Sequence, residues 1–290
     1  MDTAYFVNKP ELAWNALFKH IDRLIPLITD PEMYRMSQPN IVGGICHARV
    51  RYARKNNKLI CLLYDQRQPT SYIMEMDANN FYGCAMLQDM SDSDFKWLSQ
   101  NKCRDMELLL NYGDGRIAIF DTGILNYREN NPDKKILILK VELKYLPEQH
   151  ERDDDYLLAP EVMKIEPNIA GEKQHNMRAQ YFGAARPFSR KLICSFLLKT
   201  HYVVLGKLLR LYLERKMRLM QLHRAVRFKS SPYVASYIEN NTAKRQQFMH
   251  NDLKKSFYKH IYNAPYGKTF ENVARQTDIR LLNDIKKARR

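Results

Sequence analysis

Two short stretches of this 290-residue chain hold residue types whose spacing matters for chemistry. The first runs Asp77-Ala78-Asn79-Asn80-Phe81-Tyr82-Gly83. Residues 71–77 (SYIMEMD) are rich in apolar side chains, which predicts a strand that delivers Asp77 at its end. A carboxylate held there can bind Mg²⁺ ions that activate an attacking hydroxyl and steady a triphosphate, because Mg²⁺ takes few carboxylates plus phosphate oxygens. Five residues on, Tyr82 could lie flat beneath a sugar ring, where a 2′-hydroxyl would clash. Taken alone, the spacing also has an ordinary reading, a strand with an Asx-turn and a half-buried tyrosine, and that is the commoner case.

The second stretch is Lys259-His260-Ile261-Tyr262-Asn263-Ala264-Pro265-Tyr266-Gly267-Lys268. On a helix, Lys259, Asn263 and Tyr266 stand at i, i+4 and i+7 and share a face. Such a face offers an ammonium to a triphosphate and a ring to a base. Lys255 lies one turn earlier on it, and Lys244-Arg245 precede it. The ordinary alternative is a solvated basic helix. Asp92-Ser93-Asp94 and Asp153-Asp154-Asp155 also carry paired carboxylates, but they lack apolar strand neighbours and read as polar surface loops.

The elements that must position these residues follow from pattern. Residues 11–29 read as a helix, with Leu12, Leu17, Ile21, Leu24 and Ile25 on one face. Ile41-Val42-Gly43-Gly44 reads as a turn whose glycines allow close backbone approach, followed by the basic cluster Arg49, Arg51, Arg54 and Lys55. Residues 81–88 turn helical or irregular. Residues 134–146 (KKILILKVELKYL) form the clearest strand, and an acidic loop follows at residues 151–155. Residues 198–224 read as a long amphipathic helix with Lys207, Arg210, Arg215 and Arg218 on one side. A second helical stretch is expected from about residue 243 to 262, ending where Pro265 interrupts it. The result is a mixed α/β first part, 1–172, and a helical basic second part, 173–290.

Charge divides along the same line. The net charge is +15, but residues 173–290 hold 26 Lys/Arg against 6 Asp/Glu, while residues 1–172 hold 21 against 26. A polyanion such as DNA would be drawn to the second part through counterion release; an anionic surface or a plain solvated face would suit it too. With 45% hydrophobic residues the chain can bury a core. Five scattered cysteines, Cys46, Cys61, Cys84, Cys103 and Cys194, form no Cys-x-x-Cys pair and no metal-ligand spacing with His, which points to a reducing, intracellular setting. The N-terminus lacks a signal-peptide apolar stretch, and no apolar run approaches ~20 residues, so no membrane partner is expected.

Residues 77–86 (DANNFYGCAM) are similar to motif A of the protein-primed family B DNA polymerases carried by Polinton (Maverick) elements, an Asp-x-Asn-Asn-Leu-Tyr-Gly pattern. Residues 251–272 are similar to motif B of that family, Lys-x-x-x-Asn-Ser-x-Tyr-Gly followed by Lys-Thr-x-Glu-Asn. Connecting segments match in order: Val42 to Ile45 with Arg54 to Asn57, Phe95 to Leu98, Asp155-Tyr156 with Leu158 to Glu161, and Ser231-Pro232 with Asn241-Thr242. The resemblance spans about residues 11–285.

It implies a partial right-hand fold of α/β (α+β) class, with a palm sheet in residues 1–172 and fingers in 173–290. It implies DNA synthesis by two-metal nucleotidyl transfer on a DNA template and primer, with dNTPs, two Mg²⁺ ions and a terminal priming protein as partners, in the nucleus if the chain acts on host or element DNA. Residue by residue, Asp77 would bind both metals with help from the Ala78 carbonyl. Tyr82 would be the steric gate against ribonucleotides. Lys259 would contact the triphosphate, with Lys255 and Arg245 as further candidates, and Asn263 and Tyr266 would line the base-pair pocket. Gly43, Gly44 and Lys268 would touch DNA backbone. The family's Asp-Thr-Asp motif C has no counterpart here, Ala264 stands where the family has Ser, and Pro265 follows it. The expectation is therefore a chain inactive by itself, or a nucleic-acid-binding remnant without catalysis.

Overall fold

The computed structural model describes residues 3–46, 52–59, 64–112, 135–165, 171–182 and 190–272. Within them the chain is a mixed α/β protein in which helices pack beside an antiparallel sheet. Four strands make that sheet: β1 (Met90–Trp97), β2 (Lys135–Lys144), β5 (Lys199–Leu205) and β6 (Arg218–Ser231), in the order β1-β6-β2-β5. A separate two-stranded sheet pairs β3 (Glu161–Lys164) with β4 (Arg190–Ile193).

β2 is the strand that alternation marks most clearly. Leu137, Leu139, Val141 and Leu143 all face one buried cluster, while Ile138, Lys140 and Glu142 face the other side. That cluster is covered by helix α4 (Gln100–Tyr112), through Cys103, Met106 and Leu110, and by helix α7 (Gly206–Glu214), through Leu209, Tyr212 and Leu213. On the opposite face, helix α2 (Pro31–Ser37) sets Met33 and Met36 against Val226. Asp30 caps α2 by accepting from the Glu32 and Met33 backbone, and its other oxygen accepts from the Trp97 indole at 2.7 Å. The indole N–H, first, and the Met33 N–H hold the Asp30 carboxyl below the usual carboxylate range. Lys199, fully buried in β5, reaches Glu161 of β3 at 2.6 Å and the Ser195 hydroxyl at 2.8 Å, which ties the small sheet to the large one.

A second body of packing is helical. Helix α1 (Lys9–Ile21) gives Leu12, Ala13 and Leu17; helix α8 (Ala235–Gln247) gives Tyr237 and Ile238; helix α9 (Asp252–Thr269) gives Ile261 and Tyr262. Helix α3 (Phe81–Met86) adds Met86. The remaining helices are short or peripheral: α5 (His150–Asp153) and α6 (Glu172–Phe182).

Several expectations are corrected. The helix at 11–29 runs instead from Lys9 to Ile21 and stops at Asp22, which takes a left-handed conformation (φ 46°) and bonds back to the Phe18 carbonyl. Pro26 could not have continued it. Residues 71–77 form no strand. Ser71 makes one isolated bridge to Asn56, and residues 72–78 pair with nothing among the described residues. Residues 198–224 are not one helix but β5, α7 and the first half of β6, so of the four basic residues only Lys207 and Arg210 share a helix, while Arg215 caps its end and Arg218 opens β6. Only the leucine-rich middle kept its helix. The flanks carry Tyr202-Val203-Val204 and Leu219 to Phe228, residues that suit a pleated surface, and pairing with β2 decides the outcome. The second part is therefore not wholly helical, and the sheet takes β1 and β2 from before residue 172 and β5 and β6 from after it. Asp92-Ser93-Asp94 is not a loop: it lies in β1, where Asp92 meets Arg23 and Ser231 and Asp94 meets Lys96. Asp153 ends the short helix α5 and takes a bidentate contact from Arg152 at 2.7 Å.

Candidate functional site

The helix expected to end at Pro265 continues through it. α9 runs to Thr269 with Pro265 buried inside. A proline at that point supplies no N–H to the Ile261 carbonyl, four residues back, and an unmet buried carbonyl is costly. The Tyr237 hydroxyl of α8 stands in for it, 3.1 Å from that carbonyl and 3.2 Å from the Ala13 carbonyl of α1. Burial raises the Tyr237 phenol well above its ordinary value, so it stays a donor across the physiological range. One hydroxyl thus joins three helices at the residue that permits the proline.

Because α9 is continuous, Lys255, Lys259, Asn263 and Tyr266 rise along one side of a single helix. Its start is fixed by Asn251, whose side chain accepts from the Lys254 N–H, and by Phe248, which stacks on Tyr258 at 5.7 Å. Lys259 is exposed and Lys255 half-buried. Arg245 of α8 turns inward and donates to the Tyr262 hydroxyl at 2.7 Å. Lys268 pairs with Glu271.

The other stretch meets this helix at Tyr82. Asn80 adopts a left-handed conformation (φ 54°), which Asn tolerates better than most residues, and α3 begins just after it. Gly83 then lies so close to the Asn80 side chain that a Cβ there would come within 2.4 Å of it, so Asn80 and Gly83 fit only as a pair. The short helix packs against α8 and α9 and lays the Tyr82 ring on Tyr266. The two rings stack with centroids 4.4 Å apart and planes 22° apart, and Phe270 adds a tilted contact behind Tyr266 at 4.9 Å. Tyr82 keeps half its surface exposed. Among the described residues, the side-chain atoms Asn80 Oδ1, Ser230 Oγ, Thr242 Oγ1, Arg245 Nε and Asn263 Oδ1 are buried without a hydrogen-bond partner; Asn80 precedes α3, Ser230 lies in β6, Thr242 and Arg245 in α8 and Asn263 in α9. Buried polar atoms without partners are few in native proteins, and each calls for its own explanation.

Asp77 is not drawn into this arrangement. It and Ala78 are exposed in the irregular run before Asn80, and no group of three ligating side chains gathers around Asp77 among the described residues. Gly43 and Gly44 lie exposed in an irregular segment with open space around both. Arg49 and Arg51 lie outside the described residues. The side chains that do gather with metal-ligating potential are Glu142, His201 and His223 on the sheet, far from either motif in sequence. Spacing gave no signal for them, because β2, β5 and β6 bring them together only by pairing. Tyr237 was equally invisible beforehand, since its partner is a main-chain carbonyl freed by a proline on another helix.

No protein-family model, curated protein or solved structure matches this chain. Among the described residues no helix is long and apolar enough to cross a membrane.

Proposed function

We propose that the surface formed by α3, α8 and α9 is the nucleotide-selecting face of a polymerase of the protein-primed family B type, which takes dNTPs against a DNA template and primer. The observation that supports this reading most is the Tyr82–Tyr266 stack. The two rings come from the two stretches that resemblance singled out separately, and folding lays one on the other. A sugar over Tyr82 would place its base toward Tyr266 and Asn263, and its phosphates toward the exposed Lys259 one turn away. The partnerless Asn263 and Asn80 oxygens and the Arg245 Nε are polar groups that a nucleotide could satisfy. The net charge of +15 suits a polyanionic partner. In this reading the sheet and its helices correspond to a palm, Mg²⁺ would be held at Asp77 and the Ala78 carbonyl, and a terminal protein would supply the priming hydroxyl.

A second reading, nucleic-acid binding without catalysis, is favoured by the isolation of Asp77. One exposed carboxylate does not fix two Mg²⁺ ions in the geometry that an in-line transfer needs. Primer extension at low salt with Mg²⁺ separates the two readings. Extension that disappears in Asp77→Asn supports the polymerase. No extension, with primed-DNA affinity that falls steeply with salt by a log–log slope near −0.9 per phosphate contacted, supports the binding module. Affinity that is absent, or flat against salt, defeats both.

A further inference from the structure

We propose that Glu142, His201 and His223 form a binding site for a first-row divalent transition cation of the zinc class, on the face of the sheet opposite the main buried cluster. One ligating atom from each residue lies within 4.8 Å of the others. His223 Nε2 is 3.2 Å from a Glu142 carboxylate oxygen, and the two imidazoles sit with ring centroids 4.5 Å apart. Ligands of a tetrahedral zinc stand roughly 3.3 Å apart, given metal–ligand bonds near 2.0–2.1 Å, so small side-chain rotations would close the set.

The backbone places this set by two irregularities of pairing. Val141 and Leu143 of β2 pair with Tyr202 and Lys199 of β5, so two steps on β2 meet three on β5. His201 is one of the residues crowded into that interval, and it takes φ 53°. On the other side Lys140 pairs with Arg224 and Val141 with Leu222, which leaves His223 as the extra residue of β6. Each histidine thus sits at a β-bulge, and the two bulges flank Glu142 on the strand between them. Bulges re-aim side chains and recur beside functional sites. A left-handed, non-glycine residue inside a strand is a cost of order 1–3 kcal/mol that the surroundings must hold in place. An ion bound by all three would cross-link β5, β2 and β6 at the level of both bulges.

The ligand chemistry selects the ion. Two imidazoles and one carboxylate suit Zn²⁺, Co²⁺ or Ni²⁺, whereas Mg²⁺ prefers oxygen and keeps its water. Three protein ligands leave a fourth position for water, as in open zinc sites. The exposed edge of His201 and the half-buried rims of Glu142 and His223 give solvent that access. This site stands apart from the motif residues, so its fate does not depend on the nucleotide reading.

The test is titration of the full chain with Zn²⁺ by calorimetry and with Co²⁺ by visible absorption, with Mg²⁺ in excess as competitor. Tight one-to-one binding, a Co²⁺ spectrum of four- or five-coordinate intensity and no displacement by Mg²⁺ are expected. Glu142→Gln, His223→Gln and His201→Asn (Asn accepts the left-handed backbone) should each weaken Zn²⁺ by more than the ~10–100-fold that a lost outer-shell partner costs. His250→Asn, on the exposed turn between α8 and α9, should change nothing. Zinc-edge X-ray absorption on the unaltered chain should read two imidazoles and a carboxylate, a result that does not depend on any variant folding. Binding that survives all three substitutions, a first shell of water oxygens alone, or no binding by the wild-type chain overturns the site.

Discussion

The segment that ends in Asp77 and the helix that carries Lys259, Asn263 and Tyr266 hold the two sequence motifs, yet the fold treats them in opposite ways. α9 is buried along one side among α1, α8 and α3, and even its proline is compensated by Tyr237. Residues 72–76 lie bare, with Tyr72, Ile73, Met74 and Met76 each more than 60% exposed. The difference teaches that local pattern alone does not preorganise a site. A helix meets its own backbone hydrogen bonds and needs only one buried face, whereas a strand must find a partner strand before its carboxylate is held anywhere.

The contrast can be broken first at the core beneath α9. Ile238→Ala should cost about 2–5 kcal/mol, because Ile238 is buried in the cluster that seats that helix. Ile73→Ser on the bare segment should stay within about 0.5 kcal/mol of wild type. Urea denaturation of both variants checks the pair, and equal effects would mean that residues 72–76 are packed after all.

Next in size is the proline compensation. Tyr237→Phe should cost about 1–3 kcal/mol by leaving the Ile261 carbonyl without its donor. Adding Pro265→Ala, which restores an N–H four residues on, should recover part of that loss. A double-mutant cycle measures the coupling, and strictly additive effects would rule out the replacement-donor account.

Gly83→Ala should cost about 1–3 kcal/mol through overpacking against Asn80. Asn80→Gly in the same chain should relieve it, because glycine both removes the obstructing side chain and accepts the left-handed backbone. Thermal unfolding of the single and double variants reads this, together with loss of the Tyr82–Tyr266 stack in near-ultraviolet circular dichroism.

The smallest effect is one of pH and belongs to the sheet. The folded Asp30 carboxyl lies below its ordinary value of 3.8, chiefly because Trp97 donates to it. The stability it contributes is therefore present above that value and lost as the pH falls through the lower, folded one. Asp30→Asn should flatten the acid limb of the urea midpoint measured between about pH 3 and pH 7, and an unchanged limb would remove Asp30 from the account.

Much of this architecture was legible from the chain. The alternation at 135–144 gives β2 with one buried face, and the motif residues fall where a helix puts Lys259, Asn263 and Tyr266 on one side, although the single helical stretch expected from about residue 243 to 262 is in fact the end of α8 and a separate α9 that opens at Asp252 behind the Asn251 cap. What misled was residues 198–224, where leucine spacing satisfied a helical period although Tyr202, Val203 and Val204 at its start favoured a strand and its end carries no such signal until Val226 and Phe228 beyond it. The hydrophobic pattern fixes how much surface must be buried and with what period, because those are local properties of neighbouring side chains. Partners are not local. Which strands flank β2, where its neighbours bulge to bring His201 and His223 to Glu142, which hydroxyl answers the carbonyl freed by Pro265, and whether Tyr82 lies on Tyr266 were all decided by tertiary pairing, since each joins groups that the sequence keeps far apart.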